Sequence, residues 1–265
     1  PPFEIEYSPL LEEDEFRFCV HEAPQIKATF GERMAVLRTS VLEEPTDALR
    51  GSEQRDELDW LWLQPGNPLL VQDSIESFSA HALIVERIRR ALMISAPQFL
   101  GIQESKIILS WLEQSQPELV QELQRIMPLS RFSGVLQRLA SEGVPLRAVR
   151  VIVEALTEHG QHEREVIALA DYARIALKAQ IYHLYSEADG LRAWLLSPHT
   201  ENILREALRQ TQTGVFFALD SEHSSQLVTL LKEAFVPGQR EKSVVLVAHD
   251  LRSPLRTLLF DEFNH

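Results

Sequence analysis

Two histidine-bearing positions and one thiol are where this chain has the side chains for chemistry. His159, His162 and Glu163 offer two imidazoles and a carboxylate, donor types that hold a zinc ion. Gly160 falls between the histidines where their helix ends, and the His-Glu-x-x-His spacing of a metalloprotease is absent. His249 and Asp250 follow the apolar run from Val244 to Ala248, so they would stand at the carboxyl end of a strand, where open α/β sheets place their sites. Helix capping accounts for the same residues: Asp250 or Ser253 caps the next helix and Pro254 occupies its first turn. Cys19 is the single cysteine and has no internal disulfide partner; its alternating neighbourhood predicts a buried or half-buried thiol, with nothing nearby to stabilise a thiolate.

The motifs that would add nucleotide or acyl chemistry are missing. No two of the ten glycines form Gly-x-Gly, no Gly-Lys-Ser/Thr element cradles phosphates, and no Gly-x-Ser-x-Gly elbow exposes a serine. The residues therefore predict no catalytic group, no cofactor and no metal, and point to binding and assembly.

Charge narrows the partners. The net charge is −13, and residues 1 to 60 hold 15 acids against 6 bases. An acidic surface repels phosphate backbones, and no basic stripe with interleaved aromatics offsets it, so nucleic acid is excluded as a partner. The clusters Glu12 to Glu15 and Asp56 to Asp59 read as solvated loop and strand edge, or as surfaces that steer a basic partner.

The elements around these positions change period along the chain. From Phe3 to about Arg38 the pattern alternates: Phe16, Phe18 and Val20 share one side of a strand, and further strands run through Ile26 to Phe30 and Met34 to Leu37. Between Val41 and Gly66 the chain is acidic and turn-rich around LDWLWL, in which Leu58, Trp60 and Trp62 share a face. A long helix is predicted from Ile75, because Ile75, Phe78, Ala82, Val85, Ile88 and Leu92 recur at three and four, with Pro97 and Gly101 marking its exit.

Helices then dominate. In the run from Leu129 to Leu156, Phe132, Val135, Leu136 and Leu139 form one apolar stripe with Ser130 placed as N-cap. Gly143 closes that helix, Pro145 blocks its continuation, and Val149, Ile152, Val153 and Leu156 form the next stripe. Pro117 opens another helix, and the polar stretch 160 to 164 precedes a longer one ending near Tyr185. After Gly190, strand and helix alternate: LRAWLLS, a helix from Pro198 to Gln210, VFFAL, a helix through Leu227 to Phe235, SVVLVAH and a final helix. The continuous apolar strand Val244 to Ala248 predicts burial on both faces of a covered sheet. No fixed repeat period is present, which disfavours a solenoid.

The run from Leu129 to Leu156, with SAPQFLGIQES at 95 to 105, PELVQEL at 117 to 123 and ARIALKAQI at 173 to 181, resembles the cytoplasmic domain of the type III secretion export-gate family, flagellar FlhA and injectisome SctV. LLSPHTENIL and LVAHDLRSPLRTLL resemble the strand-then-helix units at the end of the same domain. The similarity is clear from about Ser74 onward. It implies an α+β, multi-subdomain fold: an α/β platform from residues 1–38 and 74–95, a small inserted unit at 39–73, a helical ring-forming subdomain at 96–172 and a C-terminal α/β subdomain at 173–265.

The resemblance further implies a non-enzymatic docking platform that forms a homo-nonameric ring, at the cytoplasmic face of the bacterial inner membrane. Its implied partners are secretion chaperone–substrate complexes, gatekeeper proteins and ATPase-stalk proteins. No apolar segment approaches the roughly 18 to 20 residues that cross a bilayer, so the resemblance implies that the membrane is reached through a preceding region. It places Ala80, His81, Trp60 and Trp62 near a subdomain junction, and Gly101, Gln103 and Glu104 where the ring-forming region begins. The flagellar relatives have threonine where this chain has Ala80, and their partner-pocket residues have no match around LDWLWL, which favours the injectisome branch. An enzyme built on the C-terminal α/β unit and a monomeric adaptor remain alternatives.

Overall fold

A computed structural model describes residues 4–12, 15–29, 33–37, 49–50, 60–72, 77–211, 214–234 and 244–263. The fold is α+β and comprises two compact units, one of Pro1–Glu32 with Ser79–Leu184 and one of Arg33–Phe78 with Tyr185–His265. Leu58, Ile75 and the Asp56–Asp59 cluster lie outside the described residues.

The first unit carries an antiparallel hairpin, β1 (Glu15–Val20) against β2 (Ala23–Thr29). As the alternation predicts, Phe16 and Phe18 are half-buried and Val20 is buried on one side. Arg17 and Cys19 point the other way, and the thiol expected to be buried is exposed. Its parity in the strand, one residue off the phenylalanines, is the reason. The turn residues His21 and Glu22 adopt φ of 49° and 65°, the left-handed geometry that a two-residue hairpin turn requires. The His21 ring lies 5.6 Å from that of Phe99.

Seven helices follow: α1 (Ala80–Ser95), α2 (Ile102–Glu113), α3 (Pro117–Ile126), α4 (Leu129–Ser141), α5 (Val149–His159), α6 (Val166–Ala176) and α7 (Lys178–Tyr185). Helix α1 starts five residues later than its apolar spacing predicts, because Ser77–Ser79 is a strand and Ser79 Oγ accepts from the Ala82 amide at 3.2 Å. A 3₁₀ turn, Ala96–Phe99, brings in Pro97 and ends it. Pro117 sits in the first turn of α3, and Gly143 takes φ of 67° just after α4, both as read. Ser130 is not a cap: α4 begins at Leu129 after Pro128, which places the serine inside the first turn. The chain runs irregularly from Val144 to Ala148 before α5, and the longer helix ending at Tyr185 is two pieces broken at Leu177.

Leu109, Leu123, Phe132, Val135, Leu136, Leu139, Ile152, Leu156 and Leu169 build one core among α2 to α6. Each such Leu, Val or Phe contributes about 1.5–3 kcal/mol on leaving water. This core holds α2 against α3, α4 and α5 and so fixes which way its outer side faces.

In the second unit, β3 (Met34–Leu37), β4 (Leu49–Arg50), β5 (Trp60–Leu63) and β6 (Ser77–Ser79) form a sheet in the order β4-β5-β3-β6. Val36, Leu61 and Leu63 are fully buried, with Leu69 and Leu70 packed against them. The buried side of β5 is therefore the leucine side, and Trp62 on the opposite side is half-buried.

The C-terminal part holds β7 (Trp194–Leu195), α8 (Pro198–Ala207), β8 (Leu208–Thr211), β9 (Gly214–Phe217), α9 (Ser221–Ala234), β10 (Val245–Leu246) and α10 (His249–Phe263). Leu204, Leu227, Leu231, Leu251 and Leu255 pack its core. The helix expected to reach Gln210 stops at Ala207, since Leu208–Thr211 pairs as a strand with β9. The sheet is not covered on both faces: β7 and β10 form a parallel pair with Trp194, Leu195 and Leu246 exposed. Pro254 is inside α10 rather than in its first turn, because the helix already begins at His249.

Asp220 caps α9. Its Oδ1 accepts from the His223 amide at 2.8 Å, and the His223 ring nitrogen Nδ1 is 2.8 Å from each carboxylate oxygen. The His223 backbone amide, then its side chain, hold this carboxyl below its ordinary range. With the folded value the lower one, the cap's contribution is present above the ordinary carboxylate value and is lost as pH falls through the depressed one. Acid should therefore fray α9, and Asp220→Asn, which keeps an accepting oxygen, should remove that pH dependence. Amide exchange of α9 across the acid range checks this; identical acid fraying in the variant would refute it.

Candidate functional site

The side chains best placed for recognition lie on the helical unit, where α2 meets its neighbours. Gly101 precedes α2 in extended geometry, and its carbonyl accepts from the Ser105 amide at 3.0 Å and from Ser105 Oγ at 2.8 Å. The adjacent Leu100 carbonyl accepts from Ser133 Oγ and Gln137 Nε2, both at 2.9 Å, which ties the start of α2 to α4. Ser105 and Ser133 are buried and satisfied, so these bonds locate α2 rigidly.

A helix so anchored presents distinct sides. Ser105, Leu109 and Leu112 face the core. At about 100° per residue, Gln103, Ile107 and Gln114 fall on the opposite side and Glu104 and Trp111 lie together at its edge, and all five are exposed. Ile107 is 59% and Trp111 64% exposed, one turn apart. On the flank, Lys106, Ser110 and Glu113 rim a groove of about 340 Å³ floored by Leu109, Leu123, Met127 and Phe132.

The same helical unit holds an ionic cluster. The Glu142 carboxylate, 1% exposed, accepts from Arg138 Nε at 2.7 Å and pairs with Arg174 Nη1 at 2.9 Å. The two guanidinium side chains are 26% and 22% exposed, so the cluster joins the end of α4 to α6 in a largely dry setting.

The positions singled out for chemistry have other roles. The His159 ring stacks on Tyr172 with centroids 3.9 Å apart, and Glu163 Oε1 accepts from the amides of Arg164 and Glu165 at 2.7 and 2.8 Å. No group of three His, Cys, Asp or Glu side chains suited to a metal occurs among the described residues. Asp250 Oδ2 accepts from Arg205 Nε at 3.0 Å, joining α8 to α10. The hydrogen bonds that Arg205 donates, to Asp250 first and also to Glu201, raise its pKa against the opposing effect of desolvation.

Gly101, Gln103 and Glu104 come together at the start of α2. Ala80 and His81 open α1 in the first unit, with His81 exposed; Trp60 and Trp62 lie on β5 in the second. Sequence reasoning passed over Ile107, Trp111 and Glu142. The signal for the first two was available: their spacing puts a tryptophan and an isoleucine opposite Leu109 and Leu112. Glu142 carries no such signal, because Arg174 reaches it only through the packing of α6 on α4.

The profile of the FHIPEP family matches residues 1–265. Harpin secretion protein HrpI of Erwinia amylovora is 52% identical over 271 residues, covering 100% of this chain and 38% of its own length. The chain thus spans less than half the length of such curated relatives. Among solved structures, nonameric EPEC SctV-C is similar with TM-score 0.76 at 26% identity, covering 94% of this chain and 77% of that one. The Chlamydia pneumoniae CdsV and CdsO protein complex contains a chain similar with TM-score 0.75 at 25% identity, covering 97% and 75% respectively.

Proposed function

Because the chain belongs to the FHIPEP family of type III secretion export-gate proteins, we propose that it is the docking platform of such a gate. It assembles as a homo-nonameric ring at the cytoplasmic face of the bacterial inner membrane, attached through a membrane-spanning part of the whole protein. The ring receives chaperone–substrate complexes, gatekeeper proteins and the ATPase stalk, and passes polypeptide to the membrane channel. The role requires selective surfaces and no covalent step.

The observation that carries this reading is the likeness of nearly the whole chain to a nonameric relative, together with an exposed apolar face on a rigidly held helix. A head-to-tail contact between unlike faces closes into a ring when its rotation divides a full turn. The stalk as partner draws support from the CdsV and CdsO complex. Residues 160–164, between α5 and α6, could serve as a hinge through which a docked partner changes the platform.

Docking is tested by titrating the purified chain with a chaperone-bound secretion substrate, the chaperone alone and the substrate alone, read by calorimetry. The platform reading expects saturable binding of the complex, tighter than either component by about 10-fold or more. No binding of the complex at protein concentrations that sustain assembly would overturn it.

A further inference from the structure

The groove beside α2 is rimmed by charges that have no partner in their own fold. Lys106, Ser110 and Glu113 fall at successive turns on one flank of α2, and Gln124 of α3 completes the rim. All four are exposed, and neither Lys106 nor Glu113 makes an ion pair or a side-chain hydrogen bond among the described residues. Within the rim the lining is apolar. Leu109, Leu123 and Phe132 belong to the core below, while Met127, Pro128 and Leu129 line the groove from the corner between α3 and α4.

The charges on the α2 flank specify what fits. They are of opposite sign and seven residues apart, about 10 Å along the helix axis at about 1.5 Å per residue. Seven residues is also two turns of a partner helix. Laid along α2, a helix with an acid and a base seven positions apart therefore meets both charges at once. Its apolar side chains at the third and fourth positions between them then face the lining. The groove is open along this length, with exposed side chains from both α2 and α3, so it takes the side of a rod rather than an enclosed small molecule. A helix with two acids or two bases at those positions meets one like charge at close range, which costs affinity.

We infer that the groove between α2 and the α3–α4 corner seats an amphipathic helix of another protein, one that carries an acidic and a basic side chain seven residues apart with large apolar side chains between them. This rests on the docking-platform reading and deepens it, giving one class of partner its seat.

Three short helical peptides, titrated against the purified 265-residue chain by fluorescence anisotropy, test the assignment. Each holds two leucines on one face, flanked at a spacing of seven by Glu and Lys, by two Glu or by two Lys. The wild-type chain is expected to bind the mixed-charge peptide about 5-fold or more tightly than either of the others. Lys106→Glu leaves only acids on the α2 rim and should transfer that preference to the two-lysine peptide. Glu113→Lys should transfer it to the two-glutamate peptide. Both side chains are exposed, so helix content and thermal midpoint should stay at wild-type values. Mixed-charge binding no tighter than that of the other two peptides, or preferences that do not follow the substitutions, overturns the assignment. So does displacement of the bound peptide as the chain self-associates at high concentration, which gives the groove to a second copy. Each of these results leaves the platform reading standing, because the chaperone–substrate titration decides that reading separately.

Discussion

Replacing Glu142 by alanine is expected to lower the unfolding free energy of the helical unit by about 3–5 kcal/mol, among the largest effects of any single change. The carboxylate is almost wholly excluded from water and takes charged bonds at 2.7 and 2.9 Å from Arg138 and Arg174. Without it, two guanidinium groups, each about three-quarters out of solvent, face each other across a cavity. Coulomb repulsion and unpaid desolvation then act in the same direction. Glu142→Gln keeps the shape and one accepting oxygen and should fall between wild type and alanine. Urea unfolding followed by circular dichroism checks both. A loss below about 1 kcal/mol in the alanine variant would mean that the cluster is solvated rather than buried.

Phe132→Ala should cost about 3–5 kcal/mol, by loss of apolar transfer and by the cavity left behind. Phe132 is 1% exposed, the largest fully buried side chain among the described residues, and it floors the groove rimmed by Lys106, Ser110 and Glu113. It sits among Leu109, Leu123 and Leu136, which are held by separate helices and so collapse only in part into the gap. The urea slope should stay unchanged while the midpoint falls, since the surface exposed on unfolding is nearly the same. Stability within about 1 kcal/mol of wild type would contradict a close-packed core at this point.

These two residues also mark how far the sequence could be read. Phe132 is legible, since its three-and-four spacing with Val135, Leu136 and Leu139 places it on a core face that the fold retains. Gly143 and Pro117 are legible because each acts through its own backbone, one by taking a positive φ and the other by lacking an amide proton. Glu142 is illegible, because a glutamate at a helix end reads as solvated until α6 brings Arg174 onto it. The same distinction explains β8: LRQT has no alternation of its own and becomes a strand only because β9 lies alongside. It explains the missed exposure of β7 and β10 as well. Continuous apolar residues predict burial on two faces, but only a partner can supply the second cover.

Of the expected site, Gly101, Gln103 and Glu104 follow from the family resemblance and not from any spacing of their own; the structure shows only that they stand at the start of α2. What lay beyond spacing was which side of α2 turns outward. That depends on Ser133 and Gln137, both bound to the Leu100 carbonyl from a helix distant in sequence.

The central claim is that this chain works by assembling, so electron-microscope images of the purified chain at high concentration test it most directly. The account predicts closed rings of nine copies, as in the nonameric relative. A population of monomers alone, or of open filaments without closure, would contradict it.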